Sequence, residues 1–467
     1  MAKVKEKESR TPWRENVELG AMALVLALLF KAFIFEISRI PSGSMQPTLM
    51  GSPETGVFDR LAVDKLSFRF RDPRRWEIVV FRHPLQQSMD MVKRLVGMPG
   101  EDFKIEHGDL WHRPEPTAGS SGEWSILRRP RAVQEETWKS LIAPDAKRTP
   151  WIPVEGRWSF SGRDLEVDGP GRVRFAREPV MDDYLDGYPA SMRDPIRAVN
   201  PRARPGENPV GDLRVAGEVE PGAACSELVI TLTEGKRVYR FRIPGPADAS
   251  NEVPRIEVEG APPIRPLDVS AASLPRLAAG RETSFAVQNL DDLLTLELNG
   301  ETVVEHEIDP ASDPTAGIVI EVFGGGARLE DVVVSRDIHY LAVGGPWKIP
   351  PEHYVMLGDN TQDSADSRDW RWVRFEWEGP DGFSEGVEGN FREGESPRYL
   401  PPTRENGQLV YFVDLYGERH FLERERVARA QPLPSPLVAR HLIRGRGFAV
   451  FWPLRPWSGI WRLAWIH

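Results

Sequence analysis

Three short segments of this 467-residue chain combine residue types that could carry out nucleophilic chemistry. They are PSGSMQPTL at residues 41–49, VKRLVGMPGE at residues 92–101 and GDNTQDSADSR at residues 358–368. A serine hydroxyl is a weak nucleophile until a base removes its proton. A lysine amine can be that base where burial among apolar side chains disfavours the ammonium form and lowers its pKa. Lys93, between Val92 and Leu95 on a predicted strand, has neighbours of that kind.

Each segment alone also has an ordinary structural explanation. Ser-Gly-Ser is a common linker tripeptide, and a Lys-Arg pair at the end of a strand is usually a solvated basic pair. The third segment has the composition of a turn and faintly suggests a calcium loop. A calcium loop that begins at Asp359 would need Gly at its sixth position and Glu at its twelfth, but these positions hold Ser364 and Trp370. The nine histidines lack His-Glu-x-x-His spacing, and no glycine-rich loop opens a helix, so no metal and no cofactor are predicted.

Taken together and in this order, the three segments resemble the sequence boxes of the type I signal peptidases. These are membrane-bound serine proteases of peptidase family S26 that use a Ser–Lys dyad to remove signal peptides from secreted proteins. Residues 56–65 match a fourth, weaker box. The resemblance covers roughly residues 15–112 and 340–453, and it implies a mainly β fold with a signal-peptidase-like β catalytic core.

The resemblance implies a role for each matching residue near the first two boxes. Ser44 would be the nucleophile and Lys93 the general base, which would afterwards protonate the departing amine. The backbone N–H of Ser44 and the hydroxyl of Ser42 would bind the oxyanion of the tetrahedral intermediate. Gly43 between them would let the backbone make a tight turn.

The third box would support the base, and two apolar residues could contact the substrate. Ser364 matches the hydroxyl that orients the lysine amine, and Asp366 and Arg368 match a pair that braces the site. Met45 and Val92 could line shallow pockets for the small side chains that the family prefers. An extended substrate would bind by pairing with strand edges near the site.

The amino end predicts a membrane anchor. Basic residues precede the apolar run LGAMALVLALLFKAFIF at residues 19–35, whose length is the lower limit for crossing a bilayer. No small-x-small site follows the run, which argues against a cleaved signal peptide, and residues 19–30 lack the polar face of an interfacial helix. The prediction is one transmembrane helix in the cytoplasmic (inner) membrane, with the catalytic core on the extracytoplasmic side.

Strand patterns and composition divide the chain into parts. The predicted parts are a cytoplasmic N-terminus and anchor at 1–38, a catalytic β core at 39–113 plus 339–440, a polar excursion at 114–154, an inserted β-sandwich at 155–338 and a C-terminal segment at 441–467. The insert separates the strand of Lys93 from the segment of Ser364. It must therefore leave and re-enter the core at neighbouring points.

Alternation of apolar and polar residues predicts the strands of the insert. Leu228, Ile230 and Leu232 recur at every second position, and Asn299-Gly300 is a strong signal for a two-residue hairpin. Repeated short strands of this kind predict a β-sandwich. Its closing residues 324–335 loosely resemble concanavalin-like lectin sandwiches, a resemblance that carries no prediction of sugar binding.

The C-terminal segment is rich in Trp and Arg, and its prolines at 453 and 456 argue against a spanning helix. Two explanations remain open. Aromatic rings with basic partners favour the lipid headgroup layer. Alternatively, the segment is a tail packed over a hydrophobic face.

Bulk composition limits the partners. Acidic residues outnumber basic ones by 70 to 60, and the net charge of -10 argues against a nucleic-acid partner. Cys225 is the single cysteine, so an internal disulfide and a Cys-rich zinc site are excluded. The predicted partners are signal-peptide-bearing precursor proteins and the lipid bilayer, and the sequence predicts no particular oligomeric state.

Three functions are compatible with these patterns. The leading hypothesis is a signal peptidase with an inserted sandwich, and the second is a dedicated processing peptidase whose specificity is set by the insert. The third is a membrane-anchored β-sandwich binding protein with an inactive protease core. Intact Ser42, Ser44, Lys93 and Ser364 argue against the third.

Overall fold

The mainly β class is confirmed by the computed structural model, which has 37 strands and three α-helices among the residues that it describes. The described residues are 12–115, 122–143, 148–188, 190–200, 205–249, 252–265, 276–311, 313–342, 344–378, 384–391, 398–402, 407–429, 431–455 and 460–467. Three short 3₁₀ helices lie at Ser67–Arg69, Arg424–Arg426 and Arg440–Leu442.

The elements follow one another along the chain in three groups. The first group is α1 (Pro12–Phe33), β1 (Phe35–Arg39), β2 (Gly51–Ser52), β3 (Val57–Phe58), β4 (Arg60–Asp64), β5 (Ile78–His83), β6 (Gln86–Gly97), β7 (Glu101–Glu106) and β8 (Asp109–Pro114). The second group is β9 (Ser125–Ile126), α2 (Arg131–Thr137), β10 (Lys139–Ser140), β11 (Trp151–Glu155), β12 (Trp158–Ser161), β13 (Asp164–Val167), β14 (Gly171–Phe175), α3 (Ala190–Val199), β15 (Leu213–Pro221), β16 (Glu227–Glu234), β17 (Arg237–Pro244), β18 (Arg255–Val258), β19 (Thr283–Leu290), β20 (Leu293–Leu298), β21 (Glu301–Glu307), β22 (Ala316–Phe323) and β23 (Ala327–Arg336). The third group is β24 (Trp347–Ile349), β25 (His353–Leu357), β26 (Arg371–Glu378), β27 (Ser384–Asn390), β28 (Arg398–Tyr399), β29 (Leu409–Val413), β30 (Arg419–Glu423), β31 (Val427–Arg429), β32 (Leu433–Pro434), β33 (Leu437–Ala439), β34 (Ile443–Val450), β35 (Leu454–Arg455), β36 (Ile460–Trp461) and β37 (Ala464–Trp465).

An antiparallel sheet with the order β1-β4-β34-β5-β6-β25-β33 organises the first and third groups, which we call the core. Successive residues of a strand point to opposite faces of a sheet. In β5, Val79 therefore enters one buried apolar cluster, whereas Ile78 and Val80 enter another on the opposite side. Because both faces of β5 are covered, its residues 78–81 form a continuous apolar run and not an alternating one.

A second core sheet has the order β24-β7-β8-β9. Its buried side chains include Phe103, Ile105 and Leu110, and they pack with Val355 and Leu357 of β25. This packing joins the second sheet to the strand that leads into residues 358–368. Two small sheets, β27-β26-β31 with β32 and β28-β29-β30, follow those residues along the chain.

The insert, residues 139–336 in the structure, consists mainly of two packed antiparallel sheets. One has the order β12-β13-β23-β15-β19-β20-β21, with β10 attached to β23, and the other β11-β14-β22-β16-β17-β18. Leu228, Ile230 and Leu232, which the sequence predicted to share a face, are buried between them. The predicted hairpin joins β20 to β21, and Asn299 and Gly300 both have the positive φ that such a two-residue turn requires (50° and 79°).

The two ends of the insert lie side by side. Lys139 is paired with Arg336, and Ser140 with Ser335, in the antiparallel contact between β10 and β23. This pairing returns the chain close to the point where it left the core. The geometry is the one that the sequence required if Ser364 is to lie near Lys93.

Residues 122–143, part of the expected polar excursion, are attached to the core by buried groups. Leu127 and Val133 pack in the same apolar cluster as Phe103. The Arg129 guanidinium is buried and hydrogen-bonds to the Asp337 carboxylate. The expected excursion also includes residues 116–121 and 144–147, which lie outside the described residues.

The apolar run at residues 19–35 lies mostly in α1. No helix among the described residues is both long enough and apolar enough to span a bilayer. The predicted transmembrane helix is therefore not supported by the structure.

The C-terminal segment begins inside the core sheet. β34 lies between β4 and β5, and β37 pairs with β34. Ile466 is buried in the core, as a packed tail would be, whereas the neighbouring Trp465 is 72% exposed. The predicted boundary at residue 441 therefore falls just before a central strand, and residues 456–459 of the segment lie outside the described residues.

Candidate active site

Ser44 and Lys93 are brought together by the packing of the core. Lys93 lies on β6 opposite Val79 of β5, and Ser44 lies in the turn between β1 and β2. The Lys93 Nζ atom donates a hydrogen bond to the Ser44 Oγ atom at 2.8 Å. Lys93 is 2% exposed, and Ser44 is half-buried. The amine is thus shielded from water while the hydroxyl can still be reached.

Burial changes the acidity of the Lys93 amine. It lowers the pKa of this amine from the usual 10.5 to about 8, because the ammonium form loses its hydration. The Asp366 carboxylate acts in the opposite direction and the Arg368 guanidinium in the same direction, both more weakly than burial. At pH 7 roughly a tenth of the molecules then carry the neutral amine that a general base must have.

The pH dependence of cleavage should follow this group. If Lys93 acts as the base, kcat/KM rises with pH as the ammonium form loses its proton. It should increase nearly tenfold per pH unit well below the pKa of about 8 and level off above it. Initial rates measured between pH 5.5 and 9.5 test this expectation. A flat profile from pH 6 to 9 would contradict it.

The turn that carries Ser44 is held by Asn360, a residue that the sequence analysis did not single out. The Asn360 backbone N–H donates to the Ser44 carbonyl oxygen, and its Nδ2 donates to the Gly43 carbonyl oxygen, both at 3.1 Å. The Gln46 N–H also donates to the Gly43 carbonyl oxygen, at 3.1 Å. Asn360 is buried, so these bonds are protected from water. They fix the backbone next to the Ser44 N–H, the predicted oxyanion donor.

Ser42 and Gly43 complete the turn. The Ser42 hydroxyl is exposed and donates to Ser44 Oγ at 3.3 Å. Gly43 begins a tight turn, as expected, since the Gln46 N–H donates to its carbonyl oxygen, but its backbone does not adopt the positive φ that favours glycine. Its need for glycine arises from close approach, since a Cβ atom here would lie 2.9 Å from the Tyr188 hydroxyl oxygen and 3.1 Å from that of Tyr184.

Ser364 lies near the pair, but the expected hydrogen bond to the lysine is not formed. The Ser364 hydroxyl is buried and has no hydrogen-bond partner among the residues that the structure describes. It lies instead against Gly358, where an added Cβ would collide with the Ser364 Oγ atom. The Lys93 amine meanwhile points to Ser44.

Asp366 and Arg368 form the expected bracing pair. The Arg368 guanidinium donates two hydrogen bonds to the Asp366 carboxylate, at 2.8 and 2.7 Å. The same carboxylate accepts the Gly358 N–H at 2.9 Å. Both side chains are almost fully buried. Burial raises the pKa of the Asp366 carboxyl, whereas the Arg368 guanidinium helps to lower it, and the resulting pKa lies below its usual value. The pair therefore closes residues 358–368 into a fixed loop beside Lys93.

The two residues expected to line substrate pockets have different environments. Met45 is 1% exposed and belongs to a buried core cluster, so in this structure it does not line an open pocket. Val92 is half-buried at the edge of that same cluster. Val92 alone of the two presents surface that a substrate could contact.

A buried ion pair links the second and third boxes. Arg94 Nε and Nη2 donate to the two carboxylate oxygens of Asp359 at 2.9 and 2.8 Å. The Thr48 hydroxyl adds a third bond to this carboxylate at 2.6 Å. The sequence analysis named a solvated basic pair only as the ordinary explanation of Lys-Arg, and it assigned no role to Arg94. The sequence did contain one signal for this ion pair: Arg94 directly follows Lys93 and Asp359 directly follows Gly358, and both Lys93 and Gly358 belong to the boxes.

Two groups of side chains among the described residues could hold a metal ion. Asp414, Glu418 and His420 form one, and Asp109, Asp212 and Asp291 form the other, with ligand atoms within 4.8 Å of one another in each. Neither group contains a residue of the three boxes. Neither group therefore includes Ser44 or Lys93.

Comparison with known proteins gives a family for the first part of the chain. Residues 13–139 match the family described as "Signal peptidase, peptidase S26". The match contains Ser42, Ser44 and Lys93, and it ends in β10. The insert lies almost entirely beyond it.

Curated relatives carry the same description. A probable signal peptidase I-2 of Synechocystis sp. is 35% identical over 115 residues, which cover 24% of this chain and 50% of that protein. The signal peptidase I of Pseudomonas aeruginosa is 36% identical over 190 residues, covering 35% of this chain and 63% of that protein. The chain spans about half the length of the first curated relatives it matches, with 50%, 56% and 53% of each covered.

Solved structures similar to part of the chain include two proteins from Bacillus subtilis. A carbohydrate-binding module, CBM66, from Bacillus subtilis is 12% identical and covers 40% of this chain and 96% of its own, with a TM-score of 0.26. A protein of unknown function with a galectin-like fold from Bacillus subtilis is also 12% identical and covers 43% and 97%, with a TM-score of 0.28. Scores of this size support no inference about the present chain.

The motifs and the comparisons thus lead to the same family by separate routes. The motifs rest on a few residues in order, whereas the comparisons rest on identities spread over more than a hundred positions. The resemblance to the type I signal peptidases that the three boxes predicted is therefore confirmed, over residues 13–139 by the family match and over the aligned parts of the curated relatives.

Proposed function

We propose that this protein is a membrane-bound serine endopeptidase that removes signal peptides from exported precursor proteins. Ser44 is the nucleophile and Lys93 the general base. The observation that carries the proposal is the 2.8 Å hydrogen bond between the Ser44 hydroxyl and a lysine amine that is almost fully buried. Burial supplies the lowered pKa that this chemistry needs.

The reaction proceeds in two halves. In the first, the neutral Lys93 amine takes the Ser44 proton while the Ser44 oxygen bonds to the scissile carbonyl carbon. The carbon–nitrogen bond then breaks, and the Lys93 ammonium gives its proton to the departing amine. In the second half, Lys93 takes a proton from water, the water oxygen attacks the acyl carbon, and the proton returns to Ser44 as the acid product leaves.

Stabilisation of the oxyanion would come from the Ser44 N–H and the Ser42 hydroxyl. Both groups belong to one turn, which Asn360 holds through two hydrogen bonds. Donors that are fixed before the reaction stabilise developing charge without the cost of reorganisation. Ser42 is exposed, so its hydroxyl can turn from Ser44 towards an incoming carbonyl.

An extended substrate could pair with the free edge of β6. Among the described strands, β25 pairs with β6 only at Arg94, Leu95 and Gly97. The residues of β6 just before Arg94 therefore present backbone groups on that edge, next to Lys93. Val92 is half-buried there and offers apolar surface for a small substrate side chain.

Attachment to the inner membrane, with the core on the extracytoplasmic side, is part of the proposal. Apolar side chains of α1 such as Leu19, Leu24 and Leu28 are more than half exposed. Leu463 and Trp465 add exposed apolar surface on the core, and Trp465 borders the same cavity as Ile34, just after α1. This surface is the described part of the chain best suited to contact lipid.

The test is cleavage of two unrelated signal-bearing precursors by the full-length chain in detergent. Mass spectrometry of the products should give one cut at the end of each signal peptide, after small residues. Ser44→Ala should give no product under the same conditions. Equal cleavage by the wild type and Ser44→Ala, or cuts scattered through the mature part, would refute the proposal.

A dedicated processing peptidase is the second candidate, and one contact favours it. The Gln362 side chain, in the loop that follows β25, donates a hydrogen bond to the Asp182 carbonyl oxygen of the insert. The insert thus reaches the loop beside the dyad. Cleavage of one precursor but not of the other, by an enzyme that requires Ser44, would favour this candidate.

A further inference from the structure

The insert contacts the turn that carries Ser44. Tyr184 and Tyr188 lie in the insert between β14 and α3, and both are buried, at 3% and 2% exposure. Leu185, Met192 and Ile196 of the same segment pack with them against Met50 and Val57 of the core. This apolar contact fixes the two tyrosines over β2 and β3, next to the turn.

The two tyrosine hydroxyls and the Asp363 carboxylate form a chain of adjacent polar groups that ends on the third box. The Tyr188 and Tyr184 hydroxyls are close enough for each to influence the pKa of the other. The Tyr184 hydroxyl donates a hydrogen bond to the Asp363 carboxylate at 3.1 Å. The rings are stacked, with 5.9 Å between their centroids. Burial raises the pKa of both hydroxyls, so they remain protonated donors at any working pH.

This chain lies directly against Gly43. The space that a Cβ atom would occupy there is bounded by the Tyr188 hydroxyl at 2.9 Å, the Tyr184 hydroxyl at 3.1 Å and the Asp363 carboxylate at 3.4 Å. All three members of the chain therefore contact the residue between the two predicted oxyanion donors. A shift of the tyrosines would allow the turn to move.

A second contact from the insert reaches the same turn through Asn360. The buried Lys139 amine of β10 donates to the Asn360 side-chain oxygen at 3.4 Å. Asn360 in turn holds the carbonyl groups of Gly43 and Ser44. The insert therefore acts on the turn through two routes that start at different points of its chain.

We propose that the insert positions the oxyanion-binding turn through Tyr184 and Tyr188, which are positioning residues for the reaction. This inference rests on the proposed function. The Tyr188–Tyr184–Asp363 chain holds Gly43 and thereby the direction of the Ser44 N–H and the Ser42 hydroxyl. An error of a few tenths of an ångström in such donors weakens transition-state binding more than substrate binding. The insert is thus part of the catalytic machinery and not a separate module.

The first test removes one hydroxyl at a time. Tyr184→Phe and Tyr188→Phe should each lower kcat for precursor cleavage about 5–20-fold, because the turn loses a hydroxyl that packs against Gly43. KM should stay within about twofold, since neither hydroxyl is placed to bind substrate. Tyr416→Phe, at a 74% exposed tyrosine, is the matched control and should behave like the wild type. Unchanged kcat in both buried variants, with cleavage intact in the wild type, would overturn this inference alone.

The second test uses the space at Gly43. Gly43→Ala should lower kcat by more than about 100-fold, because the new methyl group collides with the tyrosine hydroxyls. Adding Tyr188→Phe to Gly43→Ala removes the nearest oxygen and should restore at least a tenfold part of that loss. Additive effects of the two changes, on both kcat and the free energy of unfolding, would refute the coupling. Absence of any Ser44-dependent cleavage in the wild type would instead refute the proposed function, and with it the catalytic consequence proposed here.

Discussion

Lys93→Ala is expected to lower kcat for precursor cleavage by a factor of about 10⁴ or more, while the chain stays folded. The Ser44 hydroxyl then loses the amine 2.8 Å away that would take its proton. Losses of this size are found when a nucleophile or its base is removed from a serine hydrolase. KM should change little, because Lys93 is almost fully buried and contacts Ser44. Single-turnover cleavage in detergent measures the loss directly.

Two further variants separate loss of the base from a general effect of removing a lysine. Lys348→Ala removes a lysine whose side chain is 72% exposed and paired with Glu115, and it should cleave at the wild-type rate. The double variant Ser44→Ala/Lys93→Ala should be no slower than the slower single variant, because the two residues act as a unit. A folded Lys93→Ala protein with more than a tenth of the wild-type kcat would exclude Lys93 as the base.

The proximity of Ser44 and Lys93, the predicted dyad, could be expected from the sequence because its signal is local. Ser44 and Lys93 each lie inside a short box whose residue types and order are specific as a set, although each box alone is not. The strand that carries Lys93 could be predicted for the same reason, since an apolar run bounded by turn residues is a local pattern. The structure adds the 2.8 Å distance, which depends on how that strand packs.

The supports of the dyad could not be predicted, because they depend on contacts between distant parts of the chain. Arg94 and Asp359 are separated by 265 residues, and the hydrogen bond from Tyr184 to Asp363 spans 179. The C-terminal β34 lies within a segment that the sequence predicted to be either interfacial or a packed tail, yet the strand is in the middle of the core sheet. No periodicity in one segment can report which distant segment will lie beside it.

Gly43 illustrates the same limit at a single residue. A glycine between two serines suggested a tight turn, which is a common local reason for glycine. Its φ is not positive, and the need for glycine comes instead from two tyrosines that are more than 140 residues away in the sequence. The glycine itself pointed to a constrained position, but the side chains that impose the constraint belong to the insert.

Arg94→Met is expected to lower the free energy of unfolding by about 3–5 kcal/mol. The Arg94 and Asp359 side chains are both fully buried, so the substitution leaves a carboxylate in the core without its cation. Thr48 would still donate to that carboxylate, which limits the loss but does not replace a charge. Urea denaturation followed by tryptophan fluorescence should give a lower midpoint with an unchanged slope.

Two comparisons make this result specific to the buried pair. Arg113→Met breaks the pair with Asp102, whose side chains are 40% and 25% exposed, and should cost no more than about 1 kcal/mol. Adding Asp359→Asn to Arg94→Met should recover part of the loss, because the stranded charge is removed. An Arg94→Met protein as stable as Arg113→Met would mean that the pair does not hold the core together. Because Asp359 directly precedes Asn360, which holds the Ser44 turn, the unstable variant should also cleave more slowly at temperatures where it is still folded.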